Sequence, residues 1–510
     1  MEEGSVEILP NNLPEELRGF LSVRGGHSLI IRGNAGTGKT TLALQLMEEL
    51  VDMESSFYFS TRVSDSVLLA QFPWLAGQLY GNEPGDPISM RSEPEESEVL
   101  AVPPGMEAEP SDEESRRLWL NKLKLRGAFD FDVRPGQSFP QNRIDLSELE
   151  KIYSAIEGAQ GGNLLAVIDS VDALAESCGV NPATVITCIQ KDLVEGKKVN
   201  IIFVGESNDR YLDYLGDGVV ELSIQDLHRR RLREMNILKL RGCPIQQPKY
   251  LFTLSGAKVH VFSDRPSQAV TSVRGWRPIP DEMGKVSFGM SDLDRLTKGG
   301  MTPGSIVLIE LGYGVPLYFT SILEQVIVAN FASKHRGVLW VPLKKESVDS
   351  VRQRMSSMVA KESFDRYVRV PEIASEVQDS SLSCIMRIEG TNPQLDFSWK
   401  NVTYSLREAS TPLLSLMGFD TLESIYGSKI MDQLTEHFAA VKRNHGLFIG
   451  LVSPSTKSAD RLADLATCQL KVDRIGGAVV VYGEEPFTEC NVLSIGDDGE
   501  RTKLDLIPIV

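Results

Sequence analysis

Gly33-Asn34-Ala35-Gly36-Thr37-Gly38-Lys39-Thr40 fits the pattern G-x-x-x-x-G-K-[ST], the spacing of a loop that cradles phosphates. Its glycines let the backbone fold so that consecutive N–H groups point at the β- and γ-phosphates of a nucleotide. Lys39 supplies a point charge and Thr40 a hydroxyl for Mg2+. Thr41 follows at the start of a helical run, whose positive N-terminal end adds to the same field. A second group lies far along the chain, where the apolar run Leu164-Leu165-Ala166-Val167-Ile168 ends in Asp169 and Ser170. A carboxylate at that point can orient the water shell of Mg2+. These residues imply ATP and Mg2+ as ligands: Gly33 to Thr41 for the phosphates, Thr40 and Asp169 for the metal, Lys39 and Asp169 for phosphoryl transfer. Glu206, in Val204-Gly205-Glu206-Ser207, is a carboxylate at a strand end that could activate water, and Asp65 is another candidate.

Such residues must be held by regular elements. Short apolar runs at Ser28–Arg32, Ser56–Ser60, Asn163–Ile168, Val199–Gly205 and Val219–Ser223 alternate with helical patterns such as Thr40–Val51 and Pro182–Val194. Fully apolar strands alternating with helices predict an α/β fold, a mostly parallel sheet covered on both faces. The order repeats at Ser305–Glu310, Gly337–Pro342, Pro412–Phe419, Leu447–Val452 and Cys468–Val472. Leu29-Ile30-Ile31-Arg32-Gly33 aligns with Val307-Leu308-Ile309-Glu310-Leu311, and Leu165 to Ser170 with Leu416 to Thr421. Two related domains are therefore expected, residues 1–263 and 284–510, joined by a linker at 264–283. In the second, Leu311-Gly312-Tyr313-Gly314-Val315-Pro316-Leu317-Tyr318 stands at the loop position. Leu317 replaces Lys39, Tyr318 replaces Thr40, and Pro316 removes an N–H that a phosphate would need. This domain is expected to be degenerate, without a functional phosphate loop.

The charge balance limits the partners. With 53 Lys+Arg against 70 Asp+Glu the net charge is −17, which argues against bulk attraction to nucleic acid or an anionic membrane. Residues 82–115 hold eleven acidic residues, one basic residue and six prolines, the composition of a solvated, flexible insertion. His228-Arg229-Arg230-Arg231-Leu232-Arg233 is the one dense basic run. Six cysteines without a C-x-x-C pair, and no long apolar run, suit a reduced cytoplasmic protein. The histidines show no metal-ligand spacing.

Beyond the loop and Asp169, the first half carries Tyr214-Leu215-Gly216-Asp217-Gly218-Val219 and Lys239-Leu240-Arg241-Gly242. The second half opens with Phe288-Gly289-Met290-Ser291-Asp292-Leu293-Asp294 and Gly299-Gly300-Met301-Thr302-Pro303-Gly304-Ser305. Together these resemble the KaiC/GvpD group of RecA-superfamily ATPases, over nearly the whole chain. The resemblance implies two tandem RecA-like P-loop domains and a homo-oligomer, hexamers being the KaiC-like form. It further implies that Lys239 and Arg241 reach the nucleotide of a neighbouring subunit. The GvpD branch, which regulates gas-vesicle operons, implies a nucleotide-dependent switch acting on a protein partner such as a transcription activator. The group places paired glutamates after the second strand as the water-activating base, whereas Arg62 and Val63 stand there in this chain. Arginine is no base at neutral pH, so weak or slow hydrolysis is expected. A DNA recombination or repair ATPase, a signalling ATPase, and a nucleotide-bound scaffold without turnover are the alternatives.

Overall fold

In the computed structural model the chain forms two compact units, one of residues 1–225, 233–261 and 510, the other of residues 226–232 and 262–509. The structure describes residues 13–23, 25–50, 55–61, 63, 65–75, 89–90, 147–158, 164–206, 210–263, 276–282, 284–375, 382–497 and 502–510. Apart from Ser89 and Met90, the acidic insertion lies outside them.

The first unit is built on nine strands: β1 (Ser28–Gly33), β2 (Ser55–Ser60), β3 (Ser89–Met90), β4 (Leu164–Asp169), β5 (Asn200–Gly205), β6 (Gly218–Leu227), β7 (Arg230–Leu240), β8 (Lys249–Thr253) and β9 (His260–Phe262). Their order in the sheet is β3-β2-β4-β5-β1-β6-β7-β8-β9. From β3 to β6 neighbouring strands run parallel, whereas β7 and β8 are antiparallel. Both faces of the parallel part are buried, as the alternation of side chains along its strands requires. Leu29, Ile31, Leu165, Val167, Ile202 and Val204 pack with Leu42 and Leu46 of the helix Lys39–Glu49 on one side. On the other, Ile30, Ala166, Ile168, Ile201 and Phe203 pack with Leu174, Ile186 and Ile189. Burying each such side chain is worth about 1.5–3 kcal/mol, so continuous apolar strands are stable only when helices cover both faces. Among the buried polar residues, Gln45 donates to the Val259 carbonyl at 3.0 Å and accepts from the Val259 N–H at 2.7 Å. The helix behind the loop is thereby fixed in rotation.

The second unit repeats the plan with β10 (Ile306–Leu311), β11 (Arg336–Val341), β12 (Val368–Ile373), β13 (Ile385–Ile388), β14 (Ser410–Gly418), β15 (Leu447–Val452), β16 (Cys468–Ile475), β17 (Ala478–Glu485), β18 (Asn491–Asp497) and β19 (Thr502–Pro508). The order is β13-β12-β11-β14-β15-β10-β16-β17-β18-β19; from β12 to β19 it matches the order of the first sheet, with β10 in the place of β1 and β14 in that of β4, and β13 is an additional edge strand. Those are the pairs that align in sequence. Strands β16 to β19 form an antiparallel extension, as β7 and β8 do in the first unit. The expected strands are all present; the antiparallel additions were not expected, because hairpin returns need only short turns and carry no helix between them.

The basic run 228–233 is divided by this architecture. Arg230, in the stretch assigned to the second unit, is fully buried there. It donates to the carbonyls of Gly483 and Thr488, each at 2.6 Å, and lies 4.0 Å over the Phe487 ring and 4.6 Å over that of Tyr482. Arg229 and Arg231 are exposed. Among the described residues, no helix is long and apolar enough to cross a membrane, and all six cysteines are free.

Candidate functional site

Strand register brings the predicted residues to one edge of the first sheet. Ser60 pairs with Asp169, Asp169 with Val204, and Gly205 with Arg32, so β2, β4, β5 and β1 end side by side. In parallel α/β sheets ligands bind beyond such carboxyl ends. Gly33 leaves β1 with φ +153°, and a Cβ there would lie 2.2 Å from the Leu222 carbonyl oxygen, so only glycine fits. Gly36 and Gly38 also take positive φ, +75° and +98°, and Gly38 caps the helix Lys39–Glu49. Inside the loop Thr37 donates to the Asn34 carbonyl at 2.9 Å, and the Lys39 ammonium donates to the carbonyls of Gly33 and Asn34 at 2.8 and 2.9 Å. Burial lowers the Lys39 pKa, opposed by the charges of Glu206, Asp169 and Asp172.

Asp169 is the hub. Its Oδ2 accepts from the Thr40 hydroxyl at 2.7 Å and from the Tyr58 hydroxyl at 2.8 Å. Tyr58 is buried, and burial together with the Asp169 carboxylate pushes its pKa far above the ordinary range, so it remains a donor. The Thr61 N–H donates to the Asp169 carbonyl at 2.9 Å, and the Thr61 hydroxyl oxygen accepts from the Ser170 N–H at 3.0 Å. Asp172, in the first turn of the helix Val171–Ser177, accepts from the Glu206 N–H at 2.6 Å. Lys39, Thr40, Asp169 and Glu206 thus share one site. Sequence reasoning gave no role to Tyr58 or Asp172. A phenol in a half-buried strand needs a partner for its hydroxyl, but which partner depends on the register of β2 beside β4.

Lys239 and Arg241 stand elsewhere in the same unit. Lys239 donates to the carbonyls of Gly216, at 2.6 Å, and Asp213, at 3.3 Å, and Arg241 pairs with Asp217 at 2.8 Å. The hydrogen bonds of both side chains to described residues go to 213–217, and Arg241 remains 68% exposed. Burial and the neighbouring Arg241 charge lower the Lys239 pKa, against Asp217 and Asp213. Tyr214, 79% exposed, and Leu238 border the same groove beside Lys239. Arg62 lies outside the described residues, as does the Asp65 side chain, although Asp65 opens the helix Asp65–Gln71.

The second unit shows what an altered loop does to its partners. Pro316 caps the helix Leu317–Ser333, with Leu317 64% and Tyr313 85% exposed. Asp420, at the position of Asp169, accepts from Lys344 at 2.9 Å, Ser453 at 2.8 Å and Thr456 at 2.7 Å. These donors outweigh burial and hold its carboxyl below the usual range.

The family described as GvpD gas vesicle protein, P-loop domain, matches residues 17–239, and that described as GvpD basic region 2 matches residues 275–384. Protein GvpD2 of Halobacterium salinarum is 24% identical over 519 residues, 98% of this chain and 96% of that protein. Protein GvpD1 of the same organism is 24% identical over 564 residues, with the same coverage. The chain resembles GvpD, in the KaiC/GvpD group of RecA-superfamily ATPases. The circadian clock oscillator protein KaiC of Nostoc sp. is 26% identical over 325 residues, 60% of this chain and 52% of KaiC. The GvpD P-loop match takes in the loop, Asp169 and Glu206 and ends on Lys239; Arg241 lies just beyond it. The GvpD basic-region match takes in the altered loop and a set of cations that sequence reasoning did not single out. Several are paired: Lys334 and Arg336 with Asp281, Arg352 with Asp365, and Arg354 with Glu346.

Proposed function

We propose that the chain is an ATP-dependent regulatory switch, with its nucleotide site in the first domain and slow hydrolysis. The contact that carries this reading is the 2.7 Å hydrogen bond from Thr40 to Asp169, which joins the phosphate loop to the strand-end carboxylate. The residues fit Mg–ATP: the loop turns on glycines at positive φ, and a hydroxyl and a carboxylate converge at its base. Thr40 and Asp169 would hold Mg2+, which when bound neutralises phosphate oxygens. The backbone N–H groups of the loop and Lys39 bind and orient the phosphates, while Tyr58 and Thr61 fix Asp169. Glu206 would accept a proton from water, a reading supported by the tie from its backbone N–H to Asp172 beside Asp169. A single exposed carboxylate in place of paired glutamates makes turnover slow, as suits a switch.

Lys239 and Arg241 act across a subunit interface in a homo-oligomer, which the exposure of Arg241, Tyr214 and Leu238 supports. The second domain, residues 284–510, binds no nucleotide and offers a protein partner, such as a transcription regulator, a surface that changes with the state of the first. Binding of a fluorescent ATP analogue with Mg2+ tests the site: the wild type should bind and Lys39→Ala should not. Multiple-turnover hydrolysis above background, lost in Lys39→Ala, would separate a switch from a scaffold. A chain that stays monomeric with and without ATP would remove the role of Lys239 and Arg241. Turnover stimulated by DNA would overturn the regulatory reading.

A further inference from the structure

The phosphate loop has an outer side as well as the inner side that faces phosphate. Three strands of the first unit meet that outer side. The Leu222 carbonyl of β6 closes on Gly33, and Leu254, just after β8, lies against Gly38. The apex differs: among the described residues, nothing beyond its chain neighbours stands within 4 Å of the place a Cβ would take on Gly36, so that side of the loop is open. There Arg233 of β7 donates from Nη1 to the Gly36 carbonyl at 2.8 Å. Its Nε donates to the Val510 carbonyl, and the Val510 N–H donates to the hydroxyl of Thr253, which is buried on β8, at 3.2 Å.

We propose that Arg233 is a positioning residue of the nucleotide site, fixing the loop apex from behind by its bond to the Gly36 carbonyl. The proposal rests on the reading of residues 33–41 as an ATP site. A loop that aims its N–H groups inward must turn carbonyls outward, and a cation on an outward carbonyl does two things. It polarises the Gly36–Thr37 peptide, so that the Thr37 N–H becomes a stronger donor to phosphate. It also holds ordered a glycine that would otherwise lose much backbone entropy on binding. The neighbouring arginines do neither: Arg230 is buried in the second unit and Arg229 and Arg231 are exposed.

The test is a titration of a fluorescent ATP analogue with Mg2+ into the full-length wild type, Arg233→Ala, Arg233→Lys and Lys39→Ala, with a thermal melt of each nucleotide-free protein. Arg233→Ala should raise Kd about tenfold, the loss of one charge-assisted contact. Arg233→Lys, which keeps a cation for the Gly36 carbonyl, should recover most of the affinity, and both nucleotide-free melts should match the wild type. Wild-type affinity in Arg233→Ala would overturn the proposal, as would equal losses in the Ala and Lys variants accompanied by a lowered melt. If Arg233→Ala does not fold, Arg233→Gln, with a neutral donor, takes its place under the same criteria. Failure of the wild type itself to bind, or binding undiminished in Lys39→Ala, would instead sink the ATP-site reading and is seen separately.

Discussion

Lys344 forms an ion pair with Asp420 at 2.9 Å, while the corresponding Asp169 of the first unit accepts from Thr40 of its phosphate loop. In one unit the carboxylate is tied to the loop Gly33–Thr40; in the other it is satisfied by a lysine just past β11 and by Ser453 and Thr456. Calorimetry of the whole chain with Mg–ATP should therefore give one nucleotide per chain. Lys39→Ala should take that to none, and Lys344→Ala should leave it unchanged, because Pro316 and Leu317 still deny the second loop its donors. Lys344 is half exposed, so its loss should cost at most about 1 kcal/mol of stability.

Tyr58 holds Asp169 by one hydrogen bond from a buried phenol. In Tyr58→Phe the carboxylate keeps Thr40 but loses this orienting donor. The Mg2+ concentration needed for half-maximal ATP binding should rise about tenfold, the usual cost of removing a partner behind a metal ligand. Nucleotide affinity without Mg2+ should not change. A Mg2+ titration at fixed nucleotide reads both.

The arginines of the run 228–233 should separate cleanly in stability. Arg230→Ala removes a buried cation with its two short carbonyl bonds and two aromatic faces, and should cost the second unit about 3–5 kcal/mol. Arg231→Ala, at an exposed position, should stay within about 0.5 kcal/mol of the wild type, and Arg229→Ala, which loses a contact 5.6 Å over the Phe487 ring, should cost about 0.5–1 kcal/mol. Denaturant melts followed by tryptophan fluorescence distinguish them.

His437 gives the second unit a dependence on pH. Its ring is bonded on both nitrogens, to the Phe397 carbonyl and the Ser415 hydroxyl, each at 2.9 Å. Burial pushes its pKa down to about 4 from 6.5, against the pull of the Phe397 carbonyl. Above about pH 6.5 both folded and unfolded chains hold it neutral, and it contributes no slope. As pH falls from 6.5 towards 4 the unfolded chain takes up a proton that the folded chain refuses. Stability should drop by about 1.4 kcal/mol per pH unit in that window. His437→Gln should flatten that part of the profile, whatever its stability at neutral pH.

Much of this was legible in the residues. The loop Gly33–Thr40 and Asp169 have a fixed spacing and a strand context, and the apolar runs before them demand a covered parallel sheet. The repeat also surfaced, because Leu29–Gly33 and Leu165–Ser170 have counterparts of similar apolar pattern at Val307–Leu311 and Leu416–Thr421. Tyr58 did not, since its role depends on the register that sets β2 beside β4. Arg233 and Arg230 look alike in sequence, and only the path of β7 sends one to the phosphate loop and buries the other among Tyr482 and Phe487. Lys344 was hidden for the same reason: nothing near it in the chain announces Asp420.

The assignment of residues 226–232 to the second unit, and of residue 510 to the first, has a practical consequence for dissecting the protein. A fragment ending in the 264–283 segment would carry Arg230 away from Gly483 and Thr488. Its complement would keep Val510 but leave Arg233 and Thr253 behind. Each half produced alone would lack a piece of its own fold, so the two halves should be recovered in soluble form far better when co-expressed than when made apart.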